Sequence, residues 1–545
     1  MLENICRQAG RHPKWALALA TIGVLLPFLS KPFNIDDPLF IWAAHQIQAH
    51  PFNPYGFNVN WDWQPGPMWR VTDNPPFTCY YIAFMAAFLG WSELALHAIF
   101  LPVVLAAVLG TFRLARHFCE SPILAALATL FTPALLVSST TVMCDVLLLA
   151  FWVWAVVLWV EGTDENNFYK LFAAGCLVGL AEITKYFGIC LLPLLAAYSL
   201  ASKKRLGLWA QFLLIPLAVL WGCQFAMQRL YDYYPLFGVS SFSLSKKNSG
   251  LPFVSPCLIG LAFLGGCVAP VLFFAPLLWK KRWAIPLAFV VLSGGAVALD
   301  SGLLAKYKTL QNHVSAQVQI AFWAAAGISA LALAGRDFLA ARNAKAFLLA
   351  SWVAGTFIFA AFVNWTVNGR SILPMAPAVG ILIARQIERN FRDAPFPTNK
   401  AALGLALSAA LALYVTTADY RAATAPWQNV QSIHDVSGDS VKEIWFQGHW
   451  AFQYYMMQAG AIPMDLMNSK LKPGDIIALP SDNDHVLSPK PGQADLMMAF
   501  SQPESLGLTT INDTLGAGFY ASVRGPLPFA FGPVPSEKVY ICRLR

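Results

Sequence analysis

Two neighbouring carboxylates and two isolated cations are the residues of this chain best suited to do chemistry. Asp36 and Asp37 stand together in Phe33-Asn34-Ile35-Asp36-Asp37-Pro38, directly after the first apolar run. One member of such a pair can take a proton from an attacking hydroxyl, while the other caps the next helix or binds a cation. Lys185 lies in Ile183-Thr184-Lys185-Tyr186 and Arg370 in Asn368-Gly369-Arg370-Ser371, each at the edge of an apolar run. Ionisable groups at such positions are costly and are usually retained for function. Cations beside a carboxylate pair suit an anionic, membrane-embedded leaving group such as a lipid phosphate. Asp145 opens another apolar run, and Glu182 precedes Lys185 by one helical turn, where the two can pair. The plain alternatives are helix capping for Asp36-Asp37 and Asp145, and snorkelling for Lys185.

The elements that must position these groups follow from composition. Of 545 residues, 57% are hydrophobic and only 12% are charged, and the mean hydropathy is +0.53. A soluble domain carries about 25% charged residues. Apolar runs of membrane-spanning length recur from Trp15 to Thr416, so the chain reads as an all-α polytopic membrane protein. The runs are continuous rather than alternating, which excludes a transmembrane β-barrel. The net charge of +8 is uneven. Residues 1–418 hold 28 basic and 17 acidic residues, leaving +11; residues 419–545 hold 9 and 12, leaving −3. The basic excess belongs to the membrane part and reads as topology, with no nucleic acid as partner. Most of the ten cysteines sit inside apolar runs as small buried hydrophobes, and there is no metal-type CxxC pair.

Basic clusters at Arg113/Arg116, Lys203-Lys204-Arg205, Lys280-Lys281-Arg282, Arg336/Arg342/Lys345 and Arg385/Arg389/Arg392 each end an apolar run, and the charge rule puts them in the cytoplasm. Arg7, Arg11 and Lys14 do the same for the N-terminus, ahead of an uncleaved first helix. These constraints predict thirteen spans: 15–30, 94–113, 121–139, 143–160, 168–184, 187–202, 207–225, 255–279, 283–301, 317–334, 346–363, 371–385 and 400–418. The segment 77–90 is too short to span and follows Pro75-Pro76, so it reads as an interfacial helix on the outer face, with 38–50 as a second. Residues 1–418 form the membrane domain, with 31–93 as its first outer loop. Residues 419–545 form a small outer α/β domain, with strand-like pieces at Asp475-Ile-Ile-Ala-Leu and Lys538-Val-Tyr-Ile-Cys. The unusual charges then face the periplasmic side of an inner membrane. Lys306 and Lys308 join them in an outer loop.

Other candidates are weaker. Trp61, Trp63 and Trp69 could stack on sugar faces but more simply anchor the interface. His449 has no HExxH-like companion. Asn512-Asp-Thr514 fits a glycosylation acceptor pattern that chance alone supplies. There is no Walker loop, GxSxG elbow or nucleotide fingerprint.

The order of these features resembles the membrane glycosyltransferases of the GT-C superfamily, above all the protein O-mannosyltransferase and lipid A aminoarabinose transferase family. The acidic pair heads a long first loop. It is followed by a Pro-Pro-aromatic segment, Asn74-Pro75-Pro76-Phe77-Thr78-Cys79-Tyr80-Tyr81. Asp145-Val-Leu-Leu-Leu-Ala-Phe-Trp resembles the family's Asp-initiated span. Gly179-Leu-Ala-Glu-Ile-Thr-Lys185-Tyr is similar to its "Gly-Leu…Thr-Lys" segment, and Gly369-Arg370-Ser-Ile-Leu-Pro374-Met-Ala-Pro377 to its "Arg-Tyr-Leu-Leu-Pro" segment. The chain departs from the pattern in having Asp36-Asp37 for Asp-Glu, Asn74 where some members carry a basic residue, and Ser371 for Tyr.

The resemblance implies a GT-C fold and inverting transfer of a sugar from a polyprenyl-phosphate donor to a hydroxyl of a lipid, glycan or protein acceptor. Asp36 would be the base, and Asp37 would orient the sugar or a cation. Lys185 and Arg370 would bind the donor phosphate, with Asp145, Asn74, Tyr81 and Glu182 in support. No cofactor is certain; the acidic pair Asp36 and Asp37 permits a divalent metal without demanding one. A transporter or flippase of a lipid-linked or polar substrate is the alternative, although that class needs broken helices at the bilayer midplane and paired halves. A purely structural outer domain would not require Asp36, Lys185 and Arg370 to meet.

Overall fold

The computed structural model describes residues 12–72, 74–247, 254–279, 307–502 and 505–545. Among these, seven helices are long and apolar enough to cross a membrane: Glu93–Ala115, Asp145–Glu165, Tyr186–Lys203, Leu208–Tyr231, His313–Ala341, Ala344–Val363 and Thr398–Glu443. The chain is an integral membrane protein. Each of these helices matches one of the expected spans.

The other six expected spans fare differently. The expected span 283–301 and Lys306 lie outside the described residues. Shorter apolar helices, Pro13–Phe28 and Ser255–Cys267, stand at 15–30 and 255–279, and 168–184 is the 17-residue helix Phe168–Thr184. Proline accounts for the remaining two. Pro133 separates the helices Pro122–Leu130 and Pro133–Ser138. Pro374 stands in a tight turn between Gly369–Ile372 and Ala376–Asn390. A proline ring cannot donate to the preceding turn and clashes with it, so a continuous apolar run need not be a continuous helix.

The helix Asp145–Glu165 is the buried axis of the membrane part. It is apolar on all sides, as a helix surrounded by other helices must be. Asn166 ends it in the left-handed conformation, and the side chain of Asn167 caps Phe168–Thr184 by accepting from Tyr169 and Lys170. The two helices thus form a hairpin. At its closed end Glu161 is buried and binds Arg113 through two bonds of 2.8 Å, Lys170 at 2.8 Å and His117 at 3.2 Å. Lys345 joins this end through the His117 carbonyl, and Arg385 through the Phe118 carbonyl. Arg385 and Arg389 share the buried Asp337 at 3.0 and 2.7 Å. The basic clusters at Arg113, Lys345 and Arg385/Arg389 therefore gather at one end of the bundle, and Asp145 stands at the other, roughly 30 Å away at 1.5 Å per residue.

Small residues set one close helix contact. A Cβ at Gly327 would lie 2.1 Å from the Leu261 carbonyl oxygen, and one at Gly265 would lie 1.8 Å from that of Trp323. Only glycines let these backbones approach so closely, as is common where helices pack within lipid.

The expected segments 38–50 and 77–90 are the helices Asp37–Ala49 and Phe77–Leu89, which pack together. The last long helix runs unbroken from Thr398 to Ser437, so the expected boundary at 418 falls inside it. Beyond it lies a five-stranded sheet in the order Ile462–Pro463, Ile444–Phe446, Ile476–Pro480, Lys538–Leu544, Ala494–Ser501. Its first three strands are parallel and the last two pairings antiparallel. A separate two-stranded antiparallel sheet pairs Ser505–Thr509 with Ala530–Val534.

Candidate functional site

The turn carrying the acidic pair is strained. Ile35 takes φ 53°, a left-handed value that costs a residue with a Cβ roughly 1–2 kcal/mol. The turn is held by Asp37, whose carboxylate accepts from the backbone N–H of Asn34 at 2.9 Å and of Val142 at 2.8 Å. Asp37 is fully buried. Burial raises its pKa to about 7, against the lowering effects of Lys31 and the two backbone bonds. Each oxygen thus accepts a backbone N–H, and Asp37 ties the Asn34 turn to the loop before Asp145.

Asp36 points elsewhere and remains partly exposed. It pairs with Arg370 at 2.9 Å. Asn368 caps the helical turn that carries Arg370, accepting from the Ser371 N–H at 2.7 Å. Gly369 lets the segment around Phe519 approach, where a Cβ would meet the Phe519 ring at 2.5 Å. The Arg370 guanidinium also sits 5.4 Å from the Tyr520 ring centroid. Arg370 feels the charge of Asp145 as well as that of Asp36.

Asp145 pairs with Lys185 at 2.7 Å. Lys185 ends its helix with extended backbone, and the following turn folds back so tightly that a Cβ at Gly188 would lie 2.5 Å from the Ala181 backbone. That reversal aims Lys185 at Asp145 rather than at Glu182. Glu182 is fully buried, and neither of its oxygens has a hydrogen-bond partner among the described residues. The expected Glu182–Lys185 pair does not form.

Asp36, Arg370, Asp145 and Lys185 therefore make one patch of two ion pairs, drawn from four distant segments. Asp145 Oδ2 and Arg370 Nε are buried there without partners among the described residues, so the patch has unused capacity for both a donor and an anion. Asn74 borders it, its side-chain oxygen 3.6 Å from Cys144 Sγ. Tyr81 does not reach it: its hydroxyl donates to the Ile99 carbonyl at 2.5 Å and its ring packs on Phe100.

Reasoning from the sequence missed a second layer. Lys31 is fully buried and pairs with Asp419. Asp419 also accepts from Thr510 at 2.7 Å and from the Tyr520 hydroxyl at 2.9 Å. Through Tyr520 this layer supports Arg370. The signal was present in Lys31, a cation directly after the first span on the side the charge rule leaves poor in lysine.

The other candidates have structural partners. Trp61 packs on Trp42 and His449, Trp63 on His485, and Trp69 on Tyr231 and Tyr233. His449 bonds Gln453 and His485. Asn512 is buried and donates to Asp482, which removes it as a glycosylation acceptor. Lys308 is exposed. Among the described residues no group of three or more His, Cys, Asp or Glu is placed to share a metal ion. In the acidic pair, Asp37 accepts two backbone N–H groups and Asp36 pairs with Arg370.

Residues 73–224 match the family model of the dolichyl-phosphate-mannose-protein mannosyltransferases. The expected resemblance to the protein O-mannosyltransferase family thus holds for the segment carrying Asn74, Tyr81, Asp145, Glu182 and Lys185. No curated protein sequence matches. Among solved structures, the oligosaccharyltransferase of Archaeoglobus fulgidus is 13% identical with a TM-score of 0.47, over 83% of this chain and 64% of its own. The chain thus spans less than two thirds of that protein's length. ArnT from Cupriavidus metallidurans bound to undecaprenyl phosphate is 13% identical with a TM-score of 0.42, over 87% and 94%. The mycobacterial arabinofuranosyltransferase AftD is 14% identical with a TM-score of 0.39, over 80% and 29%.

Proposed function

We propose that this chain is a membrane glycosyltransferase that moves a sugar from a polyprenyl-phosphate donor to an acceptor hydroxyl on the outer face of the membrane. The N-terminus and the basic clusters lie in the cytoplasm in this reading, and residues 419–545 form the outer domain. The observation that carries it is the Asp36–Arg370 pair beside the Asp145–Lys185 pair. A carboxylate stands next to two cations at the ends of helices, where a lipid phosphate can arrive from the bilayer. The match of residues 73–224 to a mannosyltransferase family supports the reaction class.

The step follows from the charges. The donor's anionic phosphate competes for Arg370, whose planar fork suits two phosphate oxygens at once. Asp36 is thereby released from its ion pair. The acceptor hydroxyl gives its proton to Asp36 as its oxygen bonds to the anomeric carbon. The bond from that carbon to the phosphate oxygen breaks, and the electron pair leaves with the lipid phosphate, which Arg370 and Lys185 neutralise. Displacement from the opposite face inverts the anomeric configuration. Asp37 and the Lys31–Asp419–Tyr520 layer act only by holding Asp36 and Arg370 in place.

The test is transfer of radiolabelled sugar from polyprenyl-phosphate sugars in membranes holding wild type or Asp36→Asn. The reading expects transfer by wild type and a loss of at least 100-fold in a variant that melts normally. Undiminished transfer by Asp36→Asn removes Asp36 as base. Absence of transfer by wild type from mannosyl, glucosyl and aminopentosyl donors alike overturns the transferase reading.

A further inference from the structure

A polar cavity of about 730 Å³ lies between the helix Thr398–Ser437 and the strand ends of the sheet. Tyr420, Thr424 and Gln428, one turn apart on a single helix face, form one wall. The segments after Ile476–Pro480 and before Lys538–Leu544 form the other. The volume falls within the range of roughly 300–1,000 Å³ common to small-molecule sites.

The lining is polar but almost neutral. Arg524 bridges two carboxylates, Asp482 at 2.5 Å and Asp513 at 2.7 Å, and is fixed over the Trp450 ring at 5.0 Å. Arg421 adds a second cation at the rim. Burial raises Glu537 to about 8 and Asp513 to about 6. Near neutral pH the Glu537 carboxyl is thus mostly protonated, and two carboxylates face two guanidiniums. Arg524 is engaged by both carboxylates, and the remaining cation, Arg421, stands at the rim rather than within. Several groups retain capacity. The Ser536 hydroxyl, Asp513 Oδ1 and Arg524 Nε are buried without a hydrogen-bond partner among the described residues, and burial and the nearby Asp482 are what act on the Glu537 carboxyl. Amides, hydroxyls and carboxyls that both donate and accept are what a polyhydroxylated, uncharged ligand requires.

The cavity also has a direction. Behind the wall formed by Asp482, Asn483 and Glu537, a smaller void of about 40 Å³ continues to Asn34 and Ile35. Ile35 immediately precedes Asp36.

We propose that this cavity is the acceptor subsite and holds an uncharged glycan of two or three hexose units whose reacting hydroxyl is presented toward Asp36. The proposal rests on the transferase reading for the word acceptor, and on the cavity alone for the glycan.

The test uses the full chain in detergent and saturation-transfer NMR with mannotriose, maltotriose and chitotriose. Thr424→Trp fills the space from the helix side, and Glu537→Ala removes a hydrogen-bonding wall without adding bulk. The expected result is binding of at least one trisaccharide by wild type, weakened tenfold or more in both variants and retained in Asp36→Asn. No binding of any of the three sugars by wild type overturns the proposal, as does equal binding by wild type and both variants. If Thr424→Trp fails to fold, Glu537→Ala alone decides. Binding without transfer from any donor keeps the glycan site and removes the transferase reading. Transfer at the wild-type rate by Thr424→Trp removes the subsite and leaves the transferase reading intact.

Discussion

Replacing Asp37 by Asn separates frame from chemistry more sharply than any change at Asp36. The wild-type carboxylate accepts two buried backbone N–H bonds, from Asn34 at 2.9 Å and Val142 at 2.8 Å. An amide of the same shape offers one oxygen. Its NH₂ group must face the other N–H, leaving one buried donor unpaired at a cost of about 1–3 kcal/mol. The surviving bond loses its charge assistance, and Lys31 loses one of the carboxylates around it. The sum is about 2–4 kcal/mol. Buried thiols such as Cys79, Cys144 and Cys267 are available to report unfolding through a thiol-reactive dye. Asp37→Asn is expected to melt several degrees below wild type, whereas Asp36→Asn, whose carboxylate is partly exposed, is expected to melt within about 1–2 °C of it. Transfer by Asp37→Asn should fall roughly in step with the folded fraction. A variant that melts like wild type yet transfers nothing would refute this assignment and return Asp37 to the reaction itself.

The same carboxyl predicts a pH dependence. Its folded pKa of about 7 lies above the ordinary 3.8, so its contribution to stability is fullest below about pH 4 and is lost as pH rises through 7; melting curves from pH 5 to 8 should show that decline in wild type and a shallower one in Asp37→Asn. Arg370→Lys keeps the charge but gives up the fork, and should raise the KM for the lipid donor about tenfold with a smaller change in kcat, read from donor titrations. Gly327→Ala sets a methyl 2.1 Å from the Leu261 carbonyl oxygen; the required shift should cost about 1–3 kcal/mol and lower both yield and melting temperature.

The parts of the site legible in the sequence were those the membrane itself makes conspicuous. Asp36, Asp145, Lys185 and Arg370 stand out because charge at the end of an apolar run is expensive, and the structure brings all four together. What each one touches was not legible. Glu182 and Lys185 are spaced to pair on one helix, but the helix ends at Lys185 and the chain turns back at Gly188. Asp37 takes its structural role from Val142, 105 positions away, and Lys31 finds Asp419 across 388 positions. No local pattern encodes such partners. The broken spans are a different case: hydropathy cannot distinguish one helix from two, yet Pro133 and Pro374 marked both breaks. In the sheet, the strands at Ile476–Pro480 and Lys538–Leu544 were readable from their apolar β-formers. The pairing of Ser505–Thr509 with Ala530–Val534 spans a connection that turn chemistry does not specify.

The unbroken helix from Thr398 to Ser437 has a mechanical meaning. Forty residues reach roughly 60 Å at 1.5 Å per residue, about twice the hydrocarbon thickness of a bilayer. Its C-terminal half bears Asp419, the anchor of Lys31 and Tyr520, and the helical wall of the polar cavity. A rod clamped in lipid at one end converts small angles into large displacements at the other: a tilt of about 5° moves a point 30 Å along it by roughly 2.5 Å. Helix packing and interfacial anchors set the tilt of such a span, so the contacts of its membrane part bear on where that wall stands relative to Asp36.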